Sequence, residues 1–95
     1  VGHWTNSESG TGCTVIVFDP PACCGVDIRG SSPGTRETAL LDPIASMNRI
    51  NAIVLTGGSA FGLAAASGVT SGLHGDGHGF TTQHTNVPIV PSAVI

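Results

Sequence analysis

The stretch Thr56 to Val69, TGGSAFGLAAASGV, follows the apolar run NAIVL and brings glycines, a serine and consecutive alanines together. A strand that breaks on Gly57-Gly58 and turns into a helix gathers free backbone N–H groups and the positive end of a helix dipole at one point. Such a point suits an anion or a developing oxyanion. The candidate cleft residues are therefore Gly57, Gly58, Ser59, Ala60, Phe61 and Gly62. The same residues also read as a tight turn with Ser59 capping the helix. Ser59 does not fit the nucleophile elbow G-x-S-x-G, which would need glycine where Phe61 stands. Neither a dinucleotide fingerprint nor a Walker A loop is present, and the chain has no lysine for the latter.

HGDGH, from His74 to His78, sets Asp76 between two imidazoles, a donor set that could ligate zinc or another divalent ion. Glycine on both sides of Asp76 makes such a site costly to order, so His74, Asp76 and His78 are only weak metal candidates and no cofactor is expected. Arg36-Glu37, within PGTRET, is a charged island that reads as an ion pair pinning a loop or as part of a substrate-lining wall, with Asp27 and Arg29 possible members of that network. Cys13, Cys23 and Cys24 are odd in number and lack zinc-site spacing, so they read as reduced, buried thiols. His3 and Trp4 have no partner that the sequence identifies.

The elements that must position these residues follow from pattern. TGCTVIVFD, Thr11 to Asp19, is β-branched and aromatic and stops at Pro20-Pro21, so a strand and a turn are expected. CGVDIRG, Cys24 to Gly30, alternates apolar and polar side chains and completes an expected hairpin. Asp42 followed by Pro43 predicts a helix of about two turns through LLDPIASMNR. Asn51 to Leu55 is a third strand, apolar on both faces and expected to be covered on both. A packing helix follows from about Ser59 to Leu73, with small alanines allowing close approach. SGLHGDGHGFTTQHTN lacks periodicity and reads as an irregular loop, while Pro88 and Pro91 confine VPIVPSAVI to a sheet edge or an extended path outside the sheet. The class is α/β in one unit, residues 1–95.

Composition bounds the rest. With 40% hydrophobic and 9% charged residues, the chain has about a third of the usual charged share, which suits a polypeptide largely covered by other protein, as a segment of a larger domain or an obligate homo-oligomer. A net charge of −3 gives no footprint for nucleic acid or anionic lipid. VGHWTNSESG lacks the basic and apolar regions of a signal peptide, and no run reaches a bilayer-spanning length, so a cytoplasmic protein with no membrane partner is expected.

At VGHWT, TGCTVIVF, GVDIRG, PGTRET, LLDP, VLTGGSAFGLAAASGV and VPIVPSAVI, in this order along the chain, the sequence resembles the amino-terminal portion of the P1-family peptidases, the D-aminopeptidase/esterase family. The resemblance implies that residues 1–95 are an incomplete part of an αββα sandwich like that of the amino-terminal-nucleophile hydrolases, contributing a hairpin, a third strand and a packing helix. It implies a precursor that cuts itself, with a Ser or Thr freed at the start of a β subunit as nucleophile and its own α-amino group as general base. That nucleophile lies beyond the matched segment, so this chain holds no catalytic residue. Its partners would be the remainder of its own precursor and identical protomers, and alone it should not hydrolyse peptides or amides. The other reading of the sequence is a truncated, non-catalytic oligomeric scaffold or binding module of the same fold.

Overall fold

A computed structural model describes residues 1–95. Five strands form one mixed sheet: β1 (Gly2–Asn6), β2 (Thr11–Ala22), β3 (Thr35–Arg36), β4 (Ile50–Thr56) and β7 (Ser92–Val94), in the order β1-β2-β4-β7-β3. β4 and β7 run parallel, and every other pair in this sheet is antiparallel. The crossover between β4 and β7 carries α1 (Ser59–Gly62), α2 (Ala64–Gly75) and a small antiparallel ribbon of β5 (Phe80–Thr81) and β6 (Asn86–Val87).

The period of β4 decides which face packs. Ala52 and Val54 project to one side, where they join Val90 and the α2 residues Ala66 and Leu73 in the buried core, with Val15, Ala65 and Val69 packed against it. Ala65, Val69 and Leu73 recur every four residues, so they form one stripe of the helix. The alanines let that helix come close to the sheet. Val15 stands opposite Val54, and Thr14 and Ile16 stand opposite Leu55 and Ile53 on the other face. On that face Val26 and Ile28 cross near Ile53 and Leu55 around a shallow cavity of about 320 Å³. Leu55 is still 49% exposed, so within this chain only the helix side of β4 is fully covered, not both sides as its apolar run predicts.

Three further expectations are corrected. The hairpin is β1 with β2, closed by the turn at 7–10, and Cys24 to Gly30 forms no strand. β2 also runs through Pro20 and Pro21 to Ala22, with a register irregularity between Val17 and Ala22, because the prolines fall where the ladder to β4 is interrupted. The helix predicted after Asp42 is replaced by a 3₁₀ turn, Thr38–Leu41, and a bend. Asp42 Oδ1 accepts the Ile44 N–H at 3.0 Å and its carbonyl accepts the Ala45 N–H at 2.9 Å, a local turn that competes with a helix cap. Ile44 is 92% exposed, so a helix there would have had no apolar face to bury.

VPIVPSAVI enters the sheet between β4 and β3 rather than at an edge. The prolines are accommodated because they precede the ladder, and the segment gives β4 carbonyls from Ile89 and Pro91: Asn51 N–H bonds the Ile89 oxygen at 2.9 Å and Val54 N–H bonds the Pro91 oxygen at 3.0 Å. Residues 88–92 are buried as a result. No helix is long and apolar enough to cross a membrane.

Candidate functional site

The end of β4 is tied down from both sides. Gly57 N–H donates to the Gly12 oxygen at 2.9 Å, Ile95 N–H to the Thr56 oxygen at 3.0 Å, and Ser59 N–H to the Ile95 oxygen at 2.9 Å. The Thr56 hydroxyl closes the turn on the Gly57 oxygen at 3.0 Å. Glycine is required here by contact: a Cβ on Gly62 would overlap the Gly57 carbonyl oxygen, one on Gly57 the Thr11 hydroxyl, and one on Gly12 the Trp4 carbonyl oxygen. Gly58 is required by conformation, at φ 92°. Backbone therefore faces the open cavity of about 1040 Å³ at this end of the sheet, which Gly57 and Gly58 border together with His3, Thr14, Leu55 and Ile95.

Of the six sequence candidates, Gly57 and Gly58 border that cavity, while Gly62 holds α1 against the strand end. Phe61 is 92% exposed and stands with Trp4 over a smaller slot floored by Gly12, Gly57 and Gly62. Ser59 does not cap the helix. The position before α1 is Gly58, and no side chain caps it. Ser59 has a left-handed backbone, φ 55°, at a strand-to-helix turn, which shares the strain of a nucleophile elbow. Yet its hydroxyl has no histidine or carboxylate bonded to it: His3 Nδ1 pairs with Thr14 Oγ1 at 2.9 Å and His74 Nε2 with Thr85 Oγ1 at 2.7 Å. The His3–Thr14 pair is the partner that sequence reasoning missed, and the signal for it is the β1–β2 register, which sets these residues opposite each other.

HGDGH becomes a helix stop. Asp76 is the C-cap of α2, Gly77 follows at φ 81°, Gly77 N–H bonds the His74 oxygen at 3.0 Å, and His78 N–H bonds the Leu73 oxygen at 2.9 Å. Those two bonds are a Schellman motif, for which glycine at the left-handed position is the usual residue. His74, Asp76 and His78 do not converge, since no group of three His, Cys, Asp or Glu side chains lies close enough to hold an ion.

The charged island does not pair with itself. Arg36 Nη1 donates to Ser67 Oγ on α2, and Glu37 Oε2 accepts the Val90 N–H at 3.1 Å, so each charge pins a different neighbour of β3. Asp27 and Arg29 pair only with each other, at 2.8 Å and largely in solvent. That pairing is local and contributes little to stability. All three cysteines are free, but Cys23 is exposed rather than buried, and Cys13 and Cys24 are half-buried.

Comparison with known proteins extends this description. The profile of peptidase family S58 matches residues 1–95. Proteins described as uncharacterized aminopeptidases of Mycobacterium bovis and Mycobacterium tuberculosis are each 47% identical to this chain over 103 aligned positions, which take in 100% of this chain and 30% of theirs. One from Mycobacterium leprae is also 47% identical, with 28% of its length covered. The chain thus spans less than a third of the curated relatives it matches.

Proposed function

The chain belongs to peptidase family S58, and from that premise we propose that it is the amino-terminal segment of a self-processing aminopeptidase or amidohydrolase acting on small peptides or amides. The nucleophile, a Ser or Thr, lies on polypeptide outside these residues. The observation that carries this reading is that a peptidase family matches the whole chain while the aligned stretch is only 30% of its aminopeptidase relatives.

In the reaction, the hydroxyl adds to the amide carbonyl while a general base, the nucleophile's own α-amino group, takes its proton. The amine leaves with that proton, and water then releases the acid from the acyl-enzyme. We assign Gly57, Gly58, Ser59, Ala60, Phe61 and Gly62 to a wall of the substrate cleft. Gly57 and Gly58 border the cavity at the end of the sheet and give it a low-bulk backbone wall, although the Gly57 and Ser59 N–H groups are taken by the Gly12 and Ile95 carbonyls rather than left free for an oxyanion. The open side of the sheet, around Ile53 and Leu55, is covered by the rest of the same precursor as the second sheet of an αββα sandwich, and identical protomers assemble around it.

The test is the intact mass of the product of the complete gene, with hydrolysis of aminoacyl p-nitroanilides. Two polypeptides are expected, the second beginning with Ser or Thr, and replacement of that residue by Ala should abolish both cleavage and hydrolysis. A gene that stops after Ile95 and yields a stable, inactive oligomer would replace this reading with a scaffold.

A further inference from the structure

At the opposite end of β4 from Gly57, a cleft of about 690 Å³ is bounded by Pro20, Pro21, Met47, Arg49, Asn51 and Phe80. This volume lies in the range of small-molecule sites. Asn51 is only 4% exposed, and its Oδ1 accepts the Ile89 N–H at 2.9 Å. Because only the carbonyl oxygen of an amide can accept, that bond fixes which way the side chain is turned. The NH₂ group has no acceptor in the chain, yet it is not sealed from water: the one buried side-chain polar atom without a partner is Ser92 Oγ.

Arg49 lies just before β4 and is exposed, and it lines the cleft together with Asn51. It makes no ion pair, since Asp27 with Arg29 is the only one in the molecule, and no aspartate or glutamate lines the cleft. The cleft therefore presents a guanidinium and an amide donor with no carboxylate opposite them. Its remaining walls are two prolines, Met47 and the partly exposed Phe80, with the small or polar residues Ser46, Asn48, Gly79 and Thr81.

We propose that this cleft binds a carboxylate borne on a small apolar or aromatic body, with Arg49 holding the carboxylate, Asn51 adding a donor from the buried side, and Phe80 with the prolines packing the body. A planar monoanion matches one guanidinium fork and one amide. A phosphate dianion would leave charge unmatched. The proposal goes beyond the peptidase reading and does not depend on it.

The experiment is titration calorimetry on the purified protein, in the longest form its gene encodes, with N-acetyl-phenylalanine and with N-acetyl-phenylalaninamide. Saturable binding of the acid is expected, with the uncharged amide at least roughly tenfold weaker, because hydrogen bonds to a charged group are worth more than neutral ones. Arg49→Gln should weaken the acid by a similar factor. Asn51→Asp keeps an oxygen for the Ile89 N–H but removes both amide donors, and should weaken it as well. If Asn51→Asp fails to fold, Arg49→Gln decides alone. A Gly-Gly-Phe peptide run alongside distinguishes a peptide's carboxyl end from a free small acid: binding of either supports the carboxylate assignment. No saturation by either up to about 10 mM, a range that reaches weak small-ligand affinities, overturns the proposal. So does equal affinity for acid and amide, or undiminished binding by Arg49→Gln. The readout is binding, so a failed titration leaves the hydrolysis question untouched, and an inactive enzyme leaves this one untouched.

Discussion

The two ends of the crossover helix are both rich in glycine, and they use glycine for different reasons. At the start, Gly57 is closed in by Thr11 of β2 and Gly62 by the Gly57 carbonyl, so a side chain at either would overlap neighbouring atoms, while Gly58 between them has a left-handed φ of 92°. At the end, Gly77 has nothing within 4 Å of where its Cβ would be, and its φ of 81° alone explains it. Between them, Gly68 and Gly72 have open space and no positive φ, so neither reason applies. Composition is therefore a poor guide to function in this chain. Contact and conformation act together at the cavity end, where Gly58 also has a left-handed backbone, whereas conformation alone marks the stop.

The sharpest way to break this comparison is Gly62→Ala. Overpacking a closed contact costs about 1–3 kcal/mol and occasionally more, and here the clash is with backbone oxygen, which a rotamer change cannot relieve. The expected result is a loss at or above the top of that range in thermal or urea unfolding; a change under about 1 kcal/mol would contradict the contact. Gly77→Ala comes next. A left-handed backbone costs a non-glycine residue roughly 1–2 kcal/mol, and no steric term adds to it. Gly68→Ala reverses the sign: inside a helix with free space, the exchange should stabilise by about 0.4–1 kcal/mol, mostly by reducing the freedom of the unfolded chain. If all three substitutions cost the same, the distinction between the two ends fails.

The same contrast explains what the sequence made legible. β4 and the helix after it are readable because local pattern and tertiary packing agree: Ala52, Val54, Ala66 and Leu73 obey their own periods and also meet one another. The expected hairpin strand does not form because Val26 and Ile28 alternate as a strand would but find only a partly covered sheet face, while Gly2 to Asn6, with little alternation to read, pairs fully with β2. Asp42-Pro43 misled for a related reason, since a capping signal without a buried stripe behind it relaxes into a turn. At the site, the glycines of the strand end were legible as a break, but not the contacts that require them, because Gly12 and Thr11 are distant in sequence. His3 opposite Thr14 was hidden by the same missing strand. Asn51 read as strand residue only, since its role depends on Ile89 bonding its oxygen.

The smallest effect is expected at the histidines, and it separates the cap from a metal site. The Schellman bonds use the backbone N–H of His78 and the backbone carbonyl of His74, not their rings. Replacing His78 by Ala should therefore move stability by no more than about 0.5 kcal/mol, the range of ordinary surface substitutions. Zinc gives the complementary measurement. A metal bound only to the folded state raises stability by about 2.7 kcal/mol at a hundredfold excess over its dissociation constant, so a true site would lift the unfolding midpoint at micromolar to millimolar zinc. With His74 engaged by Thr85, and Asp76 and His78 brought into no cluster with it, no such rise is expected. A zinc-dependent stabilisation lost in His78→Ala would mean that the two ends of the helix are more alike than their glycines suggest, each presenting a ligand site rather than one cleft wall and one stop.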